Sequence, residues 1–250
     1  MSTYRIENCA GSAESARRAE LGGAYRVELC AGLPEGGTTP SYGEILTARR
    51  AISIKLNVII RPRSGDFLYT PIEVEAMLAD IRMARELGAD GIVVGCLTAD
   101  GAVDKPLLRR FVEAAEGLPV TFHRAIDVCQ DRAQALEDII EAGCARVLTS
   151  GGAASAPEGA DAIAALVKQA ADRIIIMPGA GVTPENVADL ARKTGAREFH
   201  FSGRTAEPSP RCYRHKGVSM GGTVTIDEYA YLFTDPKKIR QAVEALQALE

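Results

Sequence analysis

Leu87-Gly88-Ala89-Asp90-Gly91-Ile92-Val93-Val94-Gly95 reads as the stop of a helix followed at once by an apolar strand. The same punctuation returns at Ala142-Gly143-Cys144-Ala145 and at Thr194-Gly195-Ala196, with an earlier copy at Leu21-Gly22-Gly23-Ala24. A glycine just past a helix suits the left-handed position that closes the last turn. Gly88 and Gly143 are 55 residues apart, and Gly143 and Gly195 are 52. Each interval holds two strand–helix units of roughly 25–30 residues, which is the signature of a serially repeated βα fold.

Worked outward from these stops, the chain predicts strands near 4–8, 25–29, 55–60, 91–95, 119–123, 146–149, 174–177 and 198–202. Helices are expected near 12–22, 41–51, 71–87, 104–116, 131–142, 157–172, 184–194 and 235–249. Thr70-Pro71 and Thr183-Pro184 each read as an N-cap followed by proline at the first helical position, and Asp131 as another cap. After Pro71, Val74, Met77, Leu78, Ile81 and Ala84 recur at steps of three and four, while Glu75, Asp80, Arg82 and Arg85 take the other face. Eight strands, each followed by a helix, in 250 residues predict one α/β domain over 1–250, a (β/α)8 TIM barrel. A doubly wound open sheet is the competing architecture, and it lacks a G-x-G-x-x-G turn after the first strand. Residues 203–234 read as one long loop holding Arg204, Arg211, Tyr213, Arg214, His215 and Lys216, and loops of that length are often functional.

Composition narrows the function. The formal net charge of −4 argues against a nucleic-acid partner, which needs a basic face. Tryptophan is absent, and no apolar run approaches the length of a membrane span, so neither a base-stacking platform nor a membrane partner is expected. Met1-Ser2-Thr3-Tyr4-Arg5 reads straight into a strand rather than a secretory leader, so a cytoplasmic protein is expected. The six cysteines should then be reduced thiols, and no C-x-x-C pair occurs among them.

Barrel strands alternate between the interior and the helix layer. With large aliphatics facing the helices, Glu7 and Cys9 point inward from the first strand, Glu28 and Cys30 from the second, Thr121 and His123 from the fifth, and His200 and Ser202 from the eighth. Arg61-Pro62-Arg63 ends the third strand. Functional groups of this fold gather where the strands end, so Glu7, Glu28, His123 and Asp127 are candidate acid–base residues. Arg61 and Arg63 are candidate anion binders, with Thr149, Gly151, Gly152, Gly179, Gly181, Ser202 and Gly203 as a backbone cradle. The competing reading is structural: barrel interiors also hold salt-bridged acids and arginines, and glycines also make tight turns. Cys9 and Cys30 end adjacent strands about 4.8 Å apart, and two sulfurs on one metal span up to roughly 4.6 Å. A soft metal fits that pair, although cysteine is equally an ordinary small buried residue.

Several stretches resemble one family. Arg26-Val27-Glu28-Leu29-Cys30 with Gly36-Gly37-Thr38-Thr39-Pro40-Ser41 is similar to the second-strand signature of CutC proteins. Ile60-Arg61-Pro62-Arg63-Ser64-Gly65-Asp66-Phe67, Thr121-Phe122-His123-Arg124-Ala125-Ile126-Asp127, Arg146-Val147-Leu148-Thr149-Ser150-Gly151 and Gly179-Ala180-Gly181-Val182 resemble its later loops, as do Tyr213-Arg214 and Val218-Ser219-Met220. Ser64 stands where glycine is common in the family, and His215 where asparagine is often seen. The resemblance implies a cytoplasmic barrel of copper homeostasis that binds copper(I), with Cys9 and Cys30 carried over as its ligands; no organic cofactor is expected, and a homo-oligomer is. A second class stays open beside it: an enzyme acting on a small phosphorylated or carboxylated metabolite. There Arg61 and Arg63 grip the anion, Glu7 or Glu28 is the base and His123 the acid. A variant of that class puts a divalent metal on Glu7, Glu28 and His123.

Overall fold

The computed structural model describes residues 4–215, 217–218, 220 and 226–250. Met1–Thr3, Lys216 and Ser219 therefore lie outside the described residues. Eight parallel strands form the barrel: β1 (Arg5–Ala10), β2 (Arg26–Leu29), β3 (Lys55–Ile59), β4 (Gly91–Val94), β5 (Val120–Phe122), β6 (Arg146–Thr149), β7 (Ile175–Pro178) and β8 (Glu198–Phe201). Consecutive strands pair from β1 to β7, and β8 returns to pair with β1. Gly179, just past β7, stands against the His200 side chain on β8, which brings the two edges together. The open-sheet alternative is thereby excluded.

Helices α1 (Ala13–Leu21), α2 (Tyr42–Ala51), α3 (Pro71–Glu86), α4 (Lys105–Ala114), α5 (Arg132–Glu141), α6 (Ala160–Ala170), α7 (Val187–Thr194) and α8 (Pro236–Gln247) make the outer layer. Thr70 and Glu73 form a reciprocal capping box at the start of α3, with Pro71 at its first position. Asp131 accepts the backbone N–H groups of Ala133 and Gln134 at the start of α5. The Thr183-Pro184 cap does not form. The Asn186 side chain accepts the Thr183 N–H and donates to the Gly181 carbonyl, so it braces the turn and α7 begins three residues later than Pro184.

The core has two compartments. Outward-facing Ile6, Val27, Leu56, Ile92, Phe122 and Phe199 are buried against the helices. The barrel interior is largely polar at its floor. Arg26 on β2 donates through Nε to Glu7 on β1 and through Nη2 to Glu198 on β8 (2.6 Å). Arg146 on β6 donates to the same Glu198 oxygen (2.7 Å) and to Thr121 on β5 (3.3 Å). Burying four charges is expensive unless each is paired, and here every one is.

Residues 203–234 are not a single loop. β9 (Arg204–Pro208) and β10 (Ala230–Thr234) pair antiparallel. The hairpin is tied to the barrel by an ion pair between Arg18 and Glu207, by Arg18 lying over the Phe233 ring at 4.5 Å, and by Thr234 Oγ1 donating to Asn8 Oδ1 at 3.0 Å. The strand signal, Ala230-Tyr231-Leu232-Phe233-Thr234, is short and lies at the end of a long polar stretch.

Replacing Arg26 by Met strands Glu7 and Glu198 without one shared partner. The expected cost is about 3–5 kcal/mol of folding stability, measured by urea unfolding. A loss within about 1 kcal/mol, the scale of an exposed pair, contradicts the structural role given to this network.

Candidate functional site

Above the ionic floor, the carboxyl ends of the strands surround a cavity of about 130 Å³. Leu33, Ile59, Phe67 and Leu148 supply apolar walls, while Cys9, Glu28, Cys30, Arg61, His123 and His200 supply polar ones. Cys9 Cα is level with Glu28 in the β1–β2 register, so Cys30 lies further along its strand. The two side chains nevertheless converge, with Sγ to Sγ at 3.9 Å. Glu28 Oε2 lies 3.4 Å from Cys30 Sγ. Cys9, Glu28 and Cys30 present donor atoms within 4.8 Å of one another.

His200 links this cluster to the floor. Its Nδ1 is 2.8 Å from Glu7 Oε1, and its Nε2 is 3.7 Å from Glu28 Oε2. Burial alone would raise the Glu7 carboxyl, but Arg26 and His200 hold it well below the ordinary carboxylate range. Glu28 has no such arginine, and burial pushes it up to about 8. Burial opposes charge on His200 as well, yet Glu28, Cys9 and Glu7 around it hold the imidazole well above its usual value. Within the thiol pair, the hydrogen bond from Cys30 pulls Cys9 well down, and the same contact with burial pushes Cys30 well up. One sulfur is thus poised as a thiolate and the other as its donor, in a cavity beside cationic groups.

On the far wall, His123 follows β5 and lies over Gly95. A Cβ on Gly95 would stand 2.2 Å from His123 Cε1, so only glycine leaves room for the ring. His123 Nδ1 accepts the Ala125 backbone N–H at 3.2 Å, which puts the proton of the neutral ring on Nε2. Burial, with Arg61 nearby, pushes this imidazole down to about 3.

The CutC family model matches residues 4–205. A CutC family protein of Bacteroides thetaiotaomicron is 54% identical over 249 residues, 99% of this chain and 100% of that protein. The chain belongs to the CutC family. A human relative described as a copper homeostasis protein cutC homolog is 47% identical over 237 residues, 95% of this chain and 87% of that one. The crystal structure of a CutC protein from Streptococcus agalactiae superposes with a TM-score of 0.77 at 36% identity, covering 80% of this chain and 98% of that chain. The CutC match takes in all eight barrel strands and both mouth thiols, and it ends inside β9.

The other residues singled out in the sequence do not all reach this CutC cavity. Arg61 lines it, but both its Nη atoms are spent on the protein: Nη1 donates to Gly37 O (2.9 Å) and Glu35 O (3.2 Å), and Nη2 to Gly65 O (2.9 Å). The two-pronged grip expected of it is therefore unavailable, and Nε is what remains. Arg63 braces its own loop through Glu73, Asp66 and the Leu68 carbonyl. Asp127 lies off the cavity wall and accepts from Thr149 Oγ1, Ser150 N and Gly152 N, while Gly151 N donates to Thr149 Oγ1. The backbone cradle after β6 is real, and the protein's own carboxylate already fills it. Gly179 N donates to Thr149 O, Gly181 O accepts from Asn186, Ser202 O accepts from Asn8, and Gly203 O accepts from Asp235 N. None of these residues lines the cavity. Glu7 lies one layer below it, bound by Arg26 and His200.

His123 should therefore stay neutral well below the range in which histidine normally titrates. A neutral buried histidine contributes stability that is complete above about pH 6.5, its unfolded value, and is lost as pH falls toward 3. Imidazole nitrogen shifts measured by NMR at pH 5 should show His123 neutral with its proton on Nε2. A titration midpoint near 6.5, the ordinary value, contradicts this environment.

Proposed function

We propose that this CutC family protein binds Cu(I) at the barrel mouth through Cys9 and Cys30, as part of copper handling in the reducing cytoplasm. The observation that carries the reading is the 3.9 Å separation of the two sulfurs at one cavity wall. Two metal–sulfur bonds of about 2.3 Å laid end to end span roughly 4.6 Å. The observed span is shorter, so a metal between these sulfurs sits in a bent arrangement that leaves room for a third donor. Thiolates favour Cu(I), and imidazole suits copper better than carboxylate does. Among the described residues, the trio whose donor atoms lie within 4.8 Å of one another is Cys9, Glu28 and Cys30. By donor type His200 is the better third ligand, provided the metal displaces the proton that its surroundings hold on it. Its Nδ1 is oriented by Glu7, the carboxylate–histidine arrangement that fixes metal-binding rings elsewhere. Glu28 is the oxygen alternative within the cluster.

Acid–base catalysis by Glu7, Glu28 and His123 has weaker support. Glu7 is held ionised in the floor network, and His123 is held neutral, so it serves as a hydrogen-bond donor rather than a proton source. A divalent metal on those three residues is also a poorer fit, because the Nε2 that His123 shows the cavity carries its proton.

Replacing Cys9 and Cys30 together by Ser should weaken Cu(I) affinity by more than about 100-fold, beyond the loss that an outer-shell partner causes. Competition with a Cu(I) chelator measures this, and circular dichroism checks the fold. Unchanged affinity in a folded double variant rejects these ligands.

A further inference from the structure

Copper binding by two thiols leaves part of the cavity unexplained. Glu28 Oε1, Arg61 Nε and His123 Nε2 are buried and have no hydrogen-bond partner among the described residues. All three belong to residues lining the same cavity, and those residues are 3%, 6% and 5% exposed. Buried polar atoms are nearly always bonded, so three open ones on the walls of one cavity call for a polar occupant. None of the three is needed by a metal on Cys9, Cys30 and His200.

The polarity of the three atoms describes the ligand. Arg61 Nε–H and His123 Nε2–H are donors, and Glu28 Oε1 accepts a hydrogen bond as a carboxylate or donates one as a carboxyl. The two donors are held in fixed relation by Phe67, whose ring lies 4.9 Å from the His123 ring and 5.2 Å from Arg61 Cζ. A neutral imidazole N–H beside a guanidinium suits a carboxylate or carbonyl oxygen. A hydroxyl next to that oxygen, able both to donate and to accept, would pair with Glu28 Oε1 in either of its protonation states. Leu33, Ile59 and Leu148 leave an apolar wall for a short alkyl group. The cavity volume of about 130 Å³ suits a small molecule rather than a large metabolite. Phosphate is the wrong shape for this set. It is best held by a cradle of backbone amides, and the Ser150 and Gly152 amides that could form one here hold Asp127.

We propose that the barrel mouth is a binding subsite for a small α-hydroxy carboxylate. His123 Nε2–H and Arg61 Nε–H take its carboxylate, and Glu28 Oε1 takes its hydroxyl. The subsite stands beside the thiol pair and does not require copper.

The test uses reduced, copper-free protein, so its outcome is independent of the Cu(I) reading. Lactate is the probe, with propionate as the analogue that lacks the hydroxyl and inorganic phosphate as the rival anion. Lactate at tens of millimolar should raise the melting temperature by mass action and shift the His123 Nε2 resonance. Propionate should bind at least about tenfold more weakly, because a site built to bond a hydroxyl rejects the analogue without it. Phosphate should leave the His123 signal unmoved. His123→Phe should abolish the lactate effect, and the Cys9→Ser, Cys30→Ser double variant should keep it. If His123→Phe does not fold, the wild-type His123 resonance decides alone. An unmoved His123 signal under lactate overturns the subsite, and equal binding of propionate or tighter binding of phosphate overturns its assigned class.

Discussion

Glu7 is the residue on which floor and mouth both depend. One of its oxygens receives Arg26, and through Arg26 it is joined to Glu198 and Arg146 around the barrel. The other oxygen faces His200 Nδ1, which stands beside the thiols. A carboxylate buried this deeply persists only if its charge is matched on every side. The matching groups come from β2, β6 and β8, so the same requirement that keeps Glu7 on β1 ionised also fixes how those strands sit against one another.

The mouth follows from what the floor leaves over. Glu7 and Glu198 balance Arg26 and Arg146 within the floor. Glu28, one step higher, finds no arginine and is raised by burial. His200, Arg61 and the Cys9–Cys30 pair then share a small cavity with apolar walls, where charges are poorly screened. That environment favours a thiolate on Cys9, which an exposed cysteine would mostly not hold at neutral pH, and keeps His123 uncharged at pH values where an exposed histidine would be protonated.

Most of the fold was legible because the βα repeat is punctuated by glycine and by strand parity. The parity that turns Glu28 and Cys30 inward applies equally to Arg26, two residues earlier, and the parity of His200 applies to Glu198. Those two floor residues were therefore within reach of the sequence but carry no motif that draws the eye. Arg146 was hidden differently, since its role depends on β6 reaching across β7 to Glu198 on β8. Asp127 and Arg61 mark the limit of such reading. Residue type and position suggested chemistry for both, yet a carboxylate beside free amides and a guanidinium beside free carbonyls bind them, and only coordinates show which backbone groups are near. The β9–β10 hairpin escaped because its pairing spans a long polar segment with weak alternation.

The central claim is that the two strand-end sulfurs form one soft-metal site completed by a lighter donor. X-ray absorption at the copper edge of the Cu(I)-loaded full-length protein tests it most directly. The account predicts two sulfur neighbours and one nitrogen or oxygen neighbour around each bound copper. A first shell without sulfur, or one made of sulfur alone, would contradict it.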